Sequence, residues 1–134
     1  MPDRLSPQWL ALLAWLSLLP GLATAQAQDA DARRGAAIAA SRSQGLCVLC
    51  HALPGVPIQQ SGTFGPDLAG VGARFSAAQL RERLEAPQRF NPDSIMPSVV
   101  RRDGLTRVAA SRQGQPLLDA QQVDDLLAYL ATLR

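Results

Sequence analysis

The chain has 134 residues and a formal charge of +2, because its 13 basic residues, all arginine, nearly balance 11 acidic ones. This length accommodates one globular domain and is too short for two. The near balance of charge argues against a dedicated nucleic-acid binder and against a polybasic membrane anchor. Two cysteines are too few for a disulfide-rich scaffold.

The N-terminal segment has the features of an export signal. Residues 9–19 form an apolar run of 11 residues, shorter than the roughly 20 that span a bilayer. A small-x-small cleavage site ends at Ala25, and an overlapping one ends at Ala27. We therefore expect a cleaved signal peptide of residues 1–25, an exported mature domain of residues 26–134, and no membrane span after cleavage. The alternative is an uncleaved N-terminal anchor.

The first predicted helix lies before the cysteine pair. Asp31 is a candidate N-cap, and the alanine-rich residues 33–40 that follow are good helix formers. Residues 54–72 contain three prolines and several glycines, which predicts a long loop.

The second predicted helix starts at a capping box. Ser76 is the cap and Gln79 reaches back to it, whereas Pro87 must end the helix. One face of this helix is expected to be apolar and consists of Ala77, Leu80 and Leu84.

The third predicted helix is the clearest. Asp119 and Gln122 form a second capping signal after another long loop, residues 88–115. An apolar stripe at helical spacing follows, made of Val123, Leu126, Leu127, Leu130 and Leu133. No stretch alternates polar and apolar residues long enough for a strand, so we predict an all-α fold of three main helices and long loops.

The cysteine pair predicts a covalently attached cofactor. Cys47, Cys50 and His51 form Cys-x-x-Cys-His, which outside the cytoplasm is the attachment motif for haem c. Each thiol can form a thioether with the haem, and the adjacent imidazole can bind the iron. After residue 25 the chain has four aromatic residues, which is few for a domain core, and two long loops that need something to pack against. One haem per chain would supply this missing apolar bulk. The alternatives are a structural zinc site, a thioredoxin-like dithiol and a plain disulfide.

The sixth iron ligand follows by elimination. His51 is the one histidine, no lysine exists, and both cysteines are used for attachment. Met96 is the one methionine after the predicted signal peptide, and it lies in a loop directly before Pro97, which favours an extended backbone. A lone methionine in other contexts is usually a core residue. Here we predict His51 and Met96 as the axial ligands.

Two further contacts with the cofactor are open to more than one interpretation. Pro66 is either an ordinary loop proline or the carbonyl that accepts a hydrogen bond from His51 Nδ1. Arg74 or Arg89 is a candidate partner of the haem propionates, and the alternative for each is a solvated arginine.

These residues resemble a known family. Cys-x-x-Cys-His, Gly65-Pro66-x-Leu68, the Met96-Pro97 loop and a C-terminal helix carrying Tyr129 resemble class I cytochromes c. More narrowly, the chain is similar to the SoxX family, the small monohaem subunits of SoxAX complexes. That likeness extends over about residues 35–134 and is strongest in residues 65–75, 89–97, 104–108 and 121–130.

The resemblance implies a fold and a role. First and last helices cross in class I cytochromes c, so Tyr129 is expected near the crossing. The role implied is the electron-transfer subunit of an L-cysteine S-thiosulfotransferase complex in the periplasm, which oxidatively joins thiosulfate to a cysteine of the carrier SoxYZ. This chain would take electrons from SoxA, pass them to a mobile c-type cytochrome, and carry no catalytic residue itself. The alternative is a free-standing periplasmic electron carrier.

Overall fold

The computed structural model describes residues 20–134, in which helices and turns are the regular elements. The four α-helices are α1 (Pro20–Ala40), α2 (Val71–Arg74), α3 (Ala77–Glu85) and α4 (Ala120–Thr132). Four single 3-10 turns occupy Cys47–Leu49, Ile58–Gln60, Pro87–Arg89 and Ala110–Arg112. Within these described residues there is no strand, so the prediction of an all-α fold is confirmed.

Helix α1 begins earlier than the sequence analysis predicted. Asp31 lies inside the helix instead of capping it, and its carboxylate pairs with Arg34 one turn later. The alanine-rich residues upstream of Asp31 are good helix formers, so the helix continues through the candidate cap. The predicted cleavage points after Ala25 and Ala27 fall within α1, whereas most of the predicted signal peptide lies outside the described residues. No helix of the described part is long and apolar enough to cross a membrane.

Two capping boxes position α3 and α4 as predicted. The Ser76 side chain accepts from Gln79 N, and Gln79 Oε1 accepts from Ser76 N at 2.9 Å. Asp119 and Gln122 exchange the same pair of bonds, both at 2.9 Å, at the start of α4. Each box satisfies two backbone N–H groups that the first helical turn leaves without partners.

Asp31–Arg134 forms one compact unit, and its core is built mainly on α4. Helices α2 and α3 both pack against α4. Leu80 and Leu84 of α3 are buried as predicted, whereas Ala77 is exposed. The buried core consists of Ile38, Ala39, Val48, Leu53, Val71, Leu80, Leu84, Val99, Leu118, Val123, Leu126, Leu127 and Leu130.

Helices α1 and α4 cross at Gly35. A Cβ at Gly35 would lie 2.0 Å from the Asp125 carbonyl oxygen and 2.8 Å from Tyr129 Cβ, so the two helices touch here through backbone. Arg34 clamps the crossing, because its Nε and Nη2 donate to the two carboxylate oxygens of Asp125, each at 2.8 Å. The predicted position of Tyr129 near the crossing of the first and last helices is therefore confirmed.

Candidate functional site

Cys47, Cys50 and His51 are held by a single tight turn. The turn Cys47–Leu49 is a 3-10 helix, and the Cys47 carbonyl accepts from Cys50 N at 3.1 Å and from His51 N at 2.9 Å. Leu46, directly before it, has a φ of 63°, which is an unusual backbone conformation for a side chain of this kind. Short-range backbone hydrogen bonds, and not a long helix, therefore hold the chain around Cys47.

A neighbouring loop braces this turn along its length. Gly62 N donates to the Val48 carbonyl at 2.9 Å, and Gly65 N donates to the Cys50 carbonyl at 2.8 Å. Further along, Leu68 N donates to the carbonyl of the residue after His51 at 3.1 Å. The long loop predicted for residues 54–72 therefore supports the Cys-x-x-Cys-His segment through its backbone.

His51 is fixed by two consecutive loop residues. Its Nδ1 lies 2.7 Å from the Pro66 carbonyl oxygen. Proline has no backbone N–H, so the carbonyl is the one polar backbone group that Pro66 has. Because a carbonyl can only accept, Nδ1 is the donor in this bond, and Nε2 is the nitrogen left to bind an iron. Gly65 packs on the ring: a Cβ there would lie 2.3 Å from His51 Cε1 and 2.5 Å from Nδ1. Sequence reasoning missed this role of Gly65, since the contact depends on how the loop returns to the histidine.

Cys47 and Cys50 are each half-buried and are not joined to each other in a disulfide. Burial raises the pKa of Cys47 to about 11, and its Sγ lies 3.5 Å from the Gly45 carbonyl. Among residues 20–134 no strand precedes the cysteine pair, so the strand–helix setting of a thioredoxin-like dithiol is not found there. Within residues 20–134, no group of three or more His, Cys, Asp or Glu side chains is arranged to hold a metal ion, so no zinc cluster is found there.

Met96 lies on a segment tied to the end of α3. Its side chain is partly buried against the core, and the segment continues to Val99, whose N–H donates to the Leu84 carbonyl at 3.0 Å. The side-chain amide of Gln88 donates to the Met96 carbonyl at 2.9 Å. Pro97 follows directly and has no backbone N–H.

One cavity brings the predicted site residues together. It has a volume of about 820 Å³ and is lined by Cys47, Cys50, His51 and Met96 among mostly apolar side chains. This volume lies in the range of roughly 300–1,000 Å³ that is typical of cofactor sites. Two thiols, an imidazole with a free Nε2 and a thioether inside an apolar cavity suit a large flat group that carries an iron.

The predicted propionate partners differ in position. Arg74 lines the cavity, and its Nη2 approaches the Asp67 carbonyl at 3.3 Å and the Ala69 carbonyl at 3.4 Å. Arg89 is exposed and does not line the cavity. The reason is local: the turn Pro87–Arg89 directs Phe90 and Pro87 into the cavity wall instead.

A third arginine, Arg83, lies in the cavity wall between two aromatic rings. Its Cζ is 4.0 Å from the ring centroid of Phe75 and 4.2 Å from that of Phe90. The Arg83 guanidinium forms no ion pair within the described part of the chain, and its Nη1 donates to the Gln79 carbonyl at 3.1 Å. Sequence reasoning missed Arg83, although its spacing from Leu80 on the same helix is the signal that could have found it.

Comparisons with known proteins agree with this geometry. The family profile described as cytochrome c matches residues 32–134. A chain in the crystal structure of SoxXA from P. pantotrophus is 32% identical, with a TM-score of 0.67, and the match covers 75% of this chain and 80% of that chain. A search of curated protein sequences gave no match.

A profile match over most of the chain and this level of identity establish the family. Membership implies a covalently bound haem c and a role in electron transfer. The chain belongs to the cytochrome c family and is a SoxX-like class I cytochrome c.

Proposed function

We propose that this chain is the electron-transfer subunit of a SoxAX-type complex, in which it takes electrons from a SoxA subunit and passes them to a mobile c-type cytochrome. The observation that carries the proposal is the likeness to SoxXA, at 32% identity over 75% of this chain. The shared cavity of Cys47, Cys50, His51 and Met96 supports it from the site itself.

The site residues then have distinct roles. Cys47 and Cys50 would hold one haem c per chain through two thioether bonds, and His51 Nε2 and Met96 Sδ would bind its iron. The Pro66 carbonyl keeps the imidazole in one orientation through the 2.7 Å bond to Nδ1. Bound haem c supplies a one-electron iron couple, whose reduction potential is raised by methionine–histidine ligation. Bound to the iron, the Met96 side chain would also keep small molecules away from it.

Electron counting limits what this chain does in the complex. Joining thiosulfate to a thiol of SoxYZ forms a sulfur–sulfur bond, releases the thiol proton and removes two electrons. One haem accepts one electron, so this subunit does not complete the oxidation alone. The chain has two cysteines, and both are used for haem attachment. The resemblance to SoxAX complexes implies that the catalytic residues of the L-cysteine S-thiosulfotransferase belong to SoxA, and that this subunit has none.

The proposed location is the periplasm. Residues 1–25 would direct export and be removed after Ala25 or Ala27, which leaves residues 26–134 as the cytochrome domain. Support comes from the apolar run and small-residue cleavage sites of the leader. A Cys-x-x-Cys-His motif that holds haem c also fits a location outside the cytoplasm.

Co-purification tests this function. The tagged chain is purified from the periplasm of its source and run on a denaturing gel stained for covalent haem, with the variant Cys47→Ser/Cys50→Ser as the control. We expect a stained band at the mature mass together with a larger stained partner, and no stained band at the mature mass for the control. A single stained band without any partner would instead favour the free-standing carrier. Absence of haem stain from the wild-type chain would contradict both functions.

A further inference from the structure

Gln88 contacts the Met96 segment from outside it. The turn Pro87–Arg89 follows α3 directly and is closed by bonds from Arg89 N to the Ala86 carbonyl at 3.0 Å and from Phe90 N to the Pro87 carbonyl at 3.1 Å. Pro87 itself is buried. The Gln88 side chain therefore starts from a rigid, anchored turn.

The side-chain amide of Gln88 uses both of its N–H donors on one short stretch of backbone. Nε2 donates to the Met96 carbonyl at 2.9 Å and to the Ser94 carbonyl at 3.2 Å. These two carbonyls flank Ile95, which is 77% exposed and lines the cavity. Two bonds to alternate carbonyls fix both the position and the rotation of the peptide units that lead into Met96.

The Gln88 amide can adopt one orientation here. A flipped amide would direct Oε1 at two carbonyl oxygens, which are acceptors only. In the orientation observed, the buried Oε1 has no hydrogen-bond partner among residues 20–134. An unpartnered buried amide oxygen lowers the stability of the folded state. Stability alone therefore does not account for a glutamine at position 88.

The Met96 segment has few other backbone anchors of its own. Pro92 and Pro97 lack N–H groups, and Met96 N reaches only the Ser94 hydroxyl at 3.3 Å, which is within the segment. The next bond to the body of the domain is from Val99 N to the Leu84 carbonyl at 3.0 Å. On the other side of Met96, the nearest backbone bond to the turn Pro87–Arg89 is from Asn91 N to the Pro87 carbonyl at 3.2 Å, five residues before Met96. Gln88 thus supplies the connection closest to Met96 on that side.

We propose that Gln88 is a positioning residue for Met96, holding its backbone so that the thioether stays directed into the cavity and on the iron. The proposal rests on the proposed role of Met96 as the sixth ligand. Its consequence is that the Gln88 amide sets how readily an added ligand displaces the methionine.

Imidazole binding to the oxidised, haem-loaded protein measures that displacement. We expect Gln88→Leu, which removes two neutral hydrogen bonds, to raise the affinity for imidazole by about tenfold or more. The far-red absorption band of the thioether–iron bond is expected to weaken in parallel. Gln59→Leu makes the same chemical change at an exposed position and is expected to bind imidazole as the wild type does.

The variant Val123→Ala separates a specific effect of Gln88 on Met96 from a general loss of stability. Val123 is fully buried on α4 and does not line the cavity, so this variant lowers stability without touching the Met96 segment. Equal increases in imidazole affinity for Gln88→Leu and Val123→Ala would overturn the proposal, as would an unchanged affinity in Gln88→Leu. If Gln88→Leu does not fold, Gln88→Glu removes both donors at neutral pH with the same expected increase.

The variant Met96→Leu distinguishes failure of the ligand assignment from failure of this inference. If it binds imidazole no more tightly than the wild type, Met96 is not the ligand, and both the ligand assignment and the positioning role of Gln88 are wrong. If Met96→Leu gains affinity and neither Gln88 variant does, the ligand assignment stands and the role of Gln88 alone is overturned.

Discussion

His51 and Pro66 are joined by a hydrogen bond of 2.7 Å between the imidazole Nδ1 and the proline carbonyl. The acceptor is backbone, so its position depends on the course of the loop and not on a flexible side chain. Gly65, the preceding residue, packs on the ring and prevents it from tilting towards the loop. The orientation of the proposed axial imidazole is therefore determined by two neighbouring residues of the same loop.

The contact of Gly65 predicts a specific effect of Gly65→Ala. The added Cβ would lie 2.3 Å from His51 Cε1, so the ring has to move. Overpacking of this kind costs about 1–3 kcal/mol of stability. We expect a lower melting temperature and a changed electron paramagnetic resonance spectrum of the oxidised protein.

Gly55→Ala is the control for this substitution. Gly55 has a φ of 81°, and no atom lies within 4 Å of the place that a Cβ would take, so alanine there introduces backbone strain without a ring contact. This variant is expected to lose stability and keep the wild-type spectrum. Unchanged resonance in Gly65→Ala would show that the glycine does not control the imidazole.

Arg83 predicts an electrostatic effect on the reduction potential. Its guanidinium lies in the cavity wall between Phe75 and Phe90. Oxidation of the iron adds a positive charge, which a nearby cation disfavours, so Arg83 raises the potential. We expect Arg83→Ala to lower it by on the order of tens of millivolts, and Arg83→Lys, which keeps the charge, to lower it less.

Arg89→Ala is the matched control in a redox titration. Arg89 is exposed and does not line the cavity, so water and salt screen its charge. A potential that shifts equally in Arg83→Ala and Arg89→Ala would argue that the effect comes from net charge rather than from the position of Arg83.

Asp125 predicts a pH dependence of stability. Its side chain is buried, and hydrogen bonds from the Arg34 guanidinium lower the pKa of its carboxyl in the folded state. The unfolded state, with an ordinary pKa of about 3.9, then binds more protons at low pH. The stabilisation by this pair is complete above about pH 4 and is lost as the pH falls through the lowered folded pKa.

Denaturant unfolding between pH 7 and pH 3 measures this contribution. We expect Asp125→Asn to be less stable than the wild type at pH 7 and to lose less further stability on acidification. Asp103→Asn, at an exposed position, should follow the wild-type curve. Parallel pH curves for Asp125→Asn and the wild type would mean that the ion pair does not contribute to acid sensitivity.

Helices α3 and α4 were predicted correctly because each begins with a capping signal that is visible in a few consecutive residues. The capping pairs Ser76–Gln79 and Asp119–Gln122 need only four consecutive residues, and the stripe of α4 repeats at helical spacing. Asp31 failed as a cap because alanine-rich sequence on its N-terminal side also favours helix. Helix α2 has four residues, too few for a periodic pattern to be visible.

Tertiary contacts explain what the sequence did not predict at the site. Cys47, Cys50, His51 and Met96 were found from a motif and from elimination among few candidates. Gly65 on the imidazole ring is a contact between residues that are separated by a loop. Arg74 and Arg89 are equally plausible propionate partners in sequence, and the structure places Arg74 but not Arg89 in the cavity wall.

The measurement that tests the account most directly is a redox titration and an imidazole titration of haem-loaded Met96→Ala. Met96 lines the cavity with His51, and methionine–histidine ligation both raises the potential and closes the iron to small ligands. We predict that the variant keeps its covalent haem, has a lower reduction potential than the wild type and binds imidazole readily. A wild-type potential together with wild-type resistance to imidazole would contradict the account, because the sixth ligand would then be another group.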